Sequence, residues 1–503
     1  MTTSLSSPVV SVSSEHETST GHDNTSSRTG VIYHLPLELL REIFILCLTH
    51  DRSPNRNVAP LLICHVCSRW RDLAFSVPEL WNELRLSYNP FKGPVDAFMR
   101  TYIDATELWF RCIGRYCPFS YILDLPPKVI SHNAERSFTS PLPPSLRFLA
   151  LKMNEVSQLT THIHLHADGL ASLERMRISI SSDLSSFSSV MRSFPFGSAI
   201  RLRRLALDIE GRCVIPRLAP SPWTQLTHLV LGHDLSLVTW HEIIRYCTQL
   251  QECFVEISTP SLGLSVSNPI GIKDETTLLH LTDLTLLFSD APDIVAAVEG
   301  LHFPAITSLH LECAYGSRFY LSLEPVQRIF RNAQLKSLTL RQGPQYAEDL
   351  LGILEITTTL DHLEVSCGME QAHFLSRLRC LPLADGPTLV PQLTSLVLVV
   401  LDYNFDRWSF SSQAFIDTVQ SRWWVVSDGD GDAQLPTVSC LKYVSLAIDD
   451  RHTDTQDEVR GMLVPLIAQG LHADVHAITH DDWLGQCYLY MDPQLYCDWD
   501  YNK

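Results

Sequence analysis

Apolar residues return along this chain at two spacings. Between Leu35 and Leu48 two ladders step by four: Leu35, Leu39, Ile43 and Cys47 form one, and Leu40, Phe44 and Leu48 the other. Steps of four predict an amphipathic helix, here with a broad apolar face. Pro36 falls at its start, where a missing N–H costs nothing, and Glu38 in the first turn suits the positive end of the helix dipole. A second helical pattern over 61–74 carries Leu62, Val66, Trp70 and Leu73 on its apolar side. The polar stretch 49–60 between them holds two prolines and reads as a loop, and Pro78-Glu79-Leu80-Trp81 closes the unit. So small a set of helices has more apolar surface than it can hide, which predicts a partner.

Downstream, residues 96–116 keep helical spacing through Phe98, Tyr102, Leu108 and Trp109, and 119–125 alternates as a strand does. The proline-rich stretch 126–144 reads as a linker. Then one motif recurs: an apolar residue, two variable ones, apolar, one variable, apolar. It begins at Leu146, Leu173, Leu202, Leu226, Leu250, Leu281, Ile306, Leu335, Leu360, Leu393 and Leu441. Gaps such as the 24 residues from Leu202 to Leu226 and the 25 from Leu335 to Leu360 match the period and L-x-x-L-x-L core of a leucine-rich repeat. Helical patterns at 238–246, 292–301, 324–331, 346–356, 412–423 and 455–471 fall between the copies. Strand-then-helix units of this kind predict a stacked α/β solenoid with a parallel sheet on its concave face. The residue after each strand is mostly not the usual Asn or Cys, so the repeats are irregular, and 393–441 is long enough to hold an inserted loop.

Composition fits this picture. A chain of 503 residues exceeds one compact domain unless it is an elongated array. Only 19% of residues are charged, below the usual quarter, as expected where many strands are buried. The net charge of -18 argues against nucleic acid or an acidic membrane as the main partner. No apolar run reaches membrane-spanning length, and the first residues lack a charged-then-apolar signal pattern. The 14 cysteines lie mostly in apolar contexts and are expected to be reduced thiols, in a cytoplasmic or nuclear protein. Residues 1–30, rich in Ser and Thr, are expected to be a disordered tail.

The residues with chemical potential fall into incomplete patterns. Cys64 and Cys67 have C-x-x-C spacing, but no second pair follows at zinc-finger distance. His241-Glu242 opens like a zincin helix and lacks the second His. The Asp428, Asp430 and Asp432 turn lacks the Gly and Glu of an EF-hand loop. His162, His164 and His166 read as a polar stripe, and His472, His476 and His480 likewise gain no support as ligands. There is no G-x-S-x-G, P-loop or dinucleotide fingerprint, so no catalytic residue, metal or cofactor is expected. Binding is the remaining class. In each repeat the second and third anchors point to the core, so their alternating neighbours line the other face of the sheet. Arg175, Arg177, Arg204, Glu252, Phe254, Glu256, His310 and Glu312 are the candidate contacts there, basic in the early repeats and acidic in the middle ones.

Leu35-Pro36 with Glu38-Leu39-Leu40, then Ile43-Phe44, then Val66-Cys67 with Trp70-Arg71, resembles an F-box, and the Leu80-Trp81 ending resembles the F-box-like variant abundant in fungi. The loop 51–59 is longer than in the compact F-box. The resemblance implies binding to the Skp-type adaptor of a cullin-RING (SCF) ubiquitin ligase, with Leu35, Pro36, Leu39, Leu40, Ile43, Phe44, Val66 and Trp70 forming or supporting the contact. The expected organisation is a tail at 1–30, an F-box-like domain at 31–86, connecting elements at 87–145, a solenoid at 146–470 and a C-terminal cap at 471–503. On that reading the protein is a non-catalytic substrate receptor for ubiquitin-dependent degradation. The alternatives are a leucine-rich interaction scaffold that has lost adaptor binding, or an adaptor-bound protein working outside ubiquitination.

Overall fold

A computed structural model describes residues 35–49, 53–91, 93–126, 142–155, 167–181, 196–209, 222–258, 275–288, 294–313, 333–341, 347–367, 371–380, 388–401, 410–423 and 438–479. The alternating stretches become the strands of one sheet of fourteen, in which spatial order is chain order and every pairing is parallel. Its first half comprises β1 (Glu83–Ser87), β2 (Phe119–Asp124), β3 (Leu146–Met153), β4 (Arg175–Ile180), β5 (Arg204–Ile209), β6 (His228–Ser236) and β7 (Glu252–Ser258). A short β8 (Thr276–Thr277) precedes β9 (Asp283–Phe288), and a short β10 (Leu301–His302) follows it; β8 and β10 pair with each other in a separate ribbon. The main sheet continues through β11 (Ser308–Cys313), β12 (Ser337–Arg341), β13 (His362–Cys367), β14 (Ser395–Val400), β15 (Tyr443–Asp449) and β16 (His472–Ile478). Each of the eleven motif copies forms one of these strands, from β3 to β15.

Register explains why the motif repeats. Leu149, Met176, Leu205, Leu229 and Cys253 are successive Cα partners, and so are Leu151, Ile178, Leu207, Leu231 and Val255. The second and third anchors thus stack into two straight apolar rows, and all ten of these side chains are buried. Fully burying a side chain of this size contributes roughly 1.5–3 kcal/mol. The first anchor closes the turn before each strand, as where Leu202 N–H donates to Ala199 O and Leu226 N–H to Trp223 O. The residue after it continues a staircase of backbone bonds: Thr282 N–H donates to Gln251 O and Thr307 N–H to Thr282 O. Four threonines at this step, Thr227, Thr282, Thr307 and Thr394, add a hydroxyl bond of 3.0–3.3 Å to the same carbonyl.

Helices α1 (Leu37–Leu46), α2 (Leu61–Val66) and α3 (Ser68–Ser76) precede β1. Next come α4 (Val95–Cys112), α5 (Ala167–Leu170), α6 (Leu237–Ile244), α7 (Ile294–Val298), α8 (Ala347–Ile356), α9 (Gln371–Leu378), α10 (Ser412–Arg422) and α11 (Thr453–Ala468). The single helix expected over 61–74 is broken at Cys67, whose backbone is extended and whose Sγ accepts from Trp70 N–H at 3.4 Å, capping α3. Helix α9 was not expected from its spacing, being short and half polar. The helix expected at 324–331 and the acidic turn at 427–432 lie outside the described residues, as do 1–30, nearly all of 126–144, and 480–503 of the expected cap.

The sheet extends beyond the expected bounds of 146–470, since β1 and β2 come before it and β16 after. The expected boundary between 86 and 87 falls inside β1. One apolar core runs from Leu40 on α1 to Leu471 beside β16, so the first helices and the sheet share it. Trp81 and Trp109 form the joint, edge to face at 4.9 Å between ring centroids. Outward carbonyls on both edge strands are covered by side chains. Trp109 Nε1 donates to Glu83 O on β1 at 2.9 Å, and Arg460 of α11 donates Nε and Nη2 to Val475 O on β16 at 3.0 and 2.8 Å. Among the described residues no helix is long and apolar enough to cross a membrane.

Candidate interaction surfaces

Helix α1 separates the two apolar ladders. Leu40 and Phe44 turn inward and are buried, with the Phe44 ring 5.0 Å from that of Trp70. Leu39 and Ile43 of the other ladder face solvent, and so does Leu46, seven residues beyond Leu39 and 83% exposed. Pro36 is exposed and Leu35 half-buried at the start of this stripe. On α2, Leu62 and Val66 form a second exposed pair one turn apart, while Ile63 and Cys64 are buried. An ion pair between Arg41 and Glu79 and the bond from Trp81 Nε1 to Ala74 O (2.8 Å) fix α1 and α3 on the turn that leads into β1. This surface has one exposed thiol, that of Cys47 just beyond α1. It offers apolar area on rigid helices, which suits docking of another protein.

Of the residues expected at this contact, Leu39, Ile43, Val66 and Pro36 lie on the surface. Leu40 and Phe44 lie beneath it, and half-buried Trp70 packs against Phe44. Leu40 and Phe44 therefore cannot touch a partner directly; they hold the exposed stripe in place. Leu46 and Leu62 were overlooked, although the steps from Leu39 to Leu46 and from Leu62 to Val66 carried the signal.

The face of the sheet opposite the core is more mixed than expected. Arg175, Arg177, Arg204 and His310 are half-buried and Glu252 is exposed. Phe254, Glu256 and Glu312 are buried, which corrects the expectation that these positions line an open face. For Phe254 the reason is lateral packing: Ala206, Val230 and Leu287 occupy the same region and form a small apolar cluster with it. Glu312, 0% exposed, is held by charge. Its Oε2 lies 3.0 Å from His310 Nε2 and 4.0 Å from Arg341 Nη1, and Arg341 Nε donates to Glu364 Oε1 at 2.8 Å. Among the described residues its Oε1 has no hydrogen-bond partner.

Glu252 lies 3.3 Å from His228 Nε2. The hydrogen bond from His228 holds its carboxyl below the ordinary range; burial opposes this, and the charges of His228 and Arg204 add to it. His241 is buried with Nε2 2.7 Å from Ala296 O, and burial pushes its pKa down. Its place on α6 is thus that of a packed residue. Cys64 is buried and Cys67 caps α3. Among the described residues no group of three His, Cys, Asp or Glu could hold a metal ion. His162, His164, His166 and His480 lie outside them. No protein-family model matches the chain, and no curated protein matches it.

Proposed function

We propose that this protein is the substrate-recognition subunit of an SCF-type cullin-RING ubiquitin ligase. The helices α1–α3 are read as an F-box-like unit and the sequential parallel sheet as an irregular leucine-rich-repeat-like solenoid. The supporting observation is the division of α1 into a buried ladder (Leu40, Phe44) and an exposed one (Leu39, Ile43, Leu46). A helix that served only to close the sheet would need the first ladder alone. The Skp-type adaptor would cover Leu39, Ile43, Val66, Pro36 and Leu35, with Leu40, Phe44 and Trp70 as their support. The solenoid face would hold a protein target. No bond to ubiquitin forms on this chain; its part in the reaction is to raise the local concentration of target near a ubiquitin-charged enzyme held elsewhere in the complex.

The second reading, a scaffold without a ligase role, is favoured by the core shared between the first helices and the sheet, which gives those helices a structural task of their own. A pull-down of the purified chain with the Skp-type adaptor separates the two. Capture by the parent, and its loss in Leu39→Asp/Ile43→Asp with the thermal transition unchanged, is the expected result. Failure of a folded parent to bind decides for the scaffold. Phe44→Ala is the wrong probe, because emptying a buried aromatic site costs about 3–5 kcal/mol and confuses unfolding with lost contact.

A further inference from the structure

The main sheet ends at β16. His472 N–H donates inward to Lys442 O, so by alternation the backbone groups of Ala473, Val475 and Ala477 point away from the sheet. Among the described residues no further strand pairs with them. One outward carbonyl, that of Val475, is taken by Arg460 of α11. On that helix Val464 and Ile467 follow Arg460 at steps of four and three, and they are 59% and 45% exposed. The side of α11 that reaches over the strand edge is therefore apolar, where the outer face of a terminal repeat is ordinarily polar. An open edge flanked by exposed aliphatic side chains is a surface for another chain.

We propose that this chain is a second copy of the protein, joined β16 to β16 in antiparallel fashion about a two-fold axis at Val475. The strand is complementary to its own reverse. Val475 meets the partner's Val475, and Ala473 meets the partner's Ala477; these are the outward residues, so each pair exchanges two backbone hydrogen bonds. Between them Asp474 stands opposite the partner's His476, and His476 opposite the partner's Asp474, at positions where Cα atoms lie about 4.5 Å apart and side chains come closest. Within one chain these two side chains already share a face, with His476 Nδ1 3.1 Å from Asp474 Oδ2. The pairing thus sets an imidazole beside a carboxylate twice. The two neighbouring registers that keep the same backbone bonding would put Asp474 opposite itself or His476 opposite itself, which selects the first. An axis normal to the sheet also sets both α11 helices on one side, with their Val464 and Ile467 stripes turned toward each other. Val475 O exchanges its Arg460 donors for the partner's Val475 N–H, so Arg460 competes with pairing and keeps it reversible.

Sedimentation velocity of the full chain over a range of concentrations tests this. Expected is a reversible equilibrium of monomer and dimer. His476→Glu places a carboxylate opposite the partner's Asp474, and Asp474→Lys places an ammonium opposite the partner's His476. Each change acts twice across the axis and should weaken the dimer about tenfold or more. Mixed in equal amounts, the two variants should pair again, because the new lysine then faces the new glutamate and the retained Asp474 the retained His476. Val464→Asp/Ile467→Asp should also favour the monomer, and it carries the comparison if a strand variant loses its thermal transition. A parent that stays monomeric leaves the edge to another protein or another part of the chain and overturns the proposal. So does a dimer indifferent to both folded strand variants, or a mixture of them that fails to pair.

Discussion

On α1 one residue step turns a side chain by about 100°, which leaves Leu39 in solvent and sends Leu40 into the core. The same scale governs Arg422, fully buried at the end of α10. Its guanidinium donates to Leu378 O (2.6 Å), Leu389 O (2.6 Å) and Val390 O (3.2 Å), joining α9 and the turn before β14, and burial pushes its pKa down to about 10. Arg422→Met leaves three buried carbonyls without these donors and should cost about 2–4 kcal/mol, read as a lowered denaturation midpoint. Arg422→Lys should recover only part of that, since an ammonium cannot span the three acceptors. Glu252 predicts a pH effect. Its folded pKa is lowered from 4.5, so its contribution is present above that value and is lost as pH falls through the lower, folded one. Urea unfolding of Glu252→Gln between pH 3 and 6 should show a flatter acid limb than the parent; identical limbs would remove the Glu252–His228 contact from the account of stability.

The elements differ in how far the chain announced them. The eleven motif strands, β3 to β7, β9 and β11 to β15, were legible because the motif is repeated and each copy puts the same anchors on the same rows, so errors at one copy are corrected by the next. Outside the repeat, β2 was legible from its alternation, but two strands of the main sheet were missed: β1, with only Leu84 and Leu86 turned inward, and β16, whose Ala473 and Val475 are too small and too sparse to mark an edge. The break at Cys67 depends on a thiol acting as a cap, which no apolar spacing encodes. Nor could spacing tell which face of the sheet Phe254 and Glu312 would find crowded, because their burial depends on neighbours from other strands. On α1 both ladders were visible in the sequence, but which of them faces the core is decided by Trp70, 26 residues beyond Phe44 in the chain. The edge strands carry a prediction of their own. Arg460 covers the outward Val475 carbonyl on β16. Arg460→Ala should expose an open pairing edge and raise the proportion of self-associated protein with concentration, as sedimentation velocity would show. A variant that stays monomeric would mean that edge is protected by other means.

At the scale of the whole molecule, the sheet is a single file in which no strand of the main sheet pairs with one distant in the file. Stability in such an array is close to a sum of neighbouring interfaces, so damage at one strand is felt mainly by the two beside it. Hydrogen exchange of a chain ended at Phe288 should therefore keep protection over β2 to β7 and lose it near the new end; a uniform loss would show that the array needs both ends to hold any part. The same arrangement bears on time. A ribosome releases β1 first and β16 last, and each strand between finds its one earlier partner already synthesised. The order in which the protein is made is an order in which it can be assembled, without a finished segment waiting on one still to be translated.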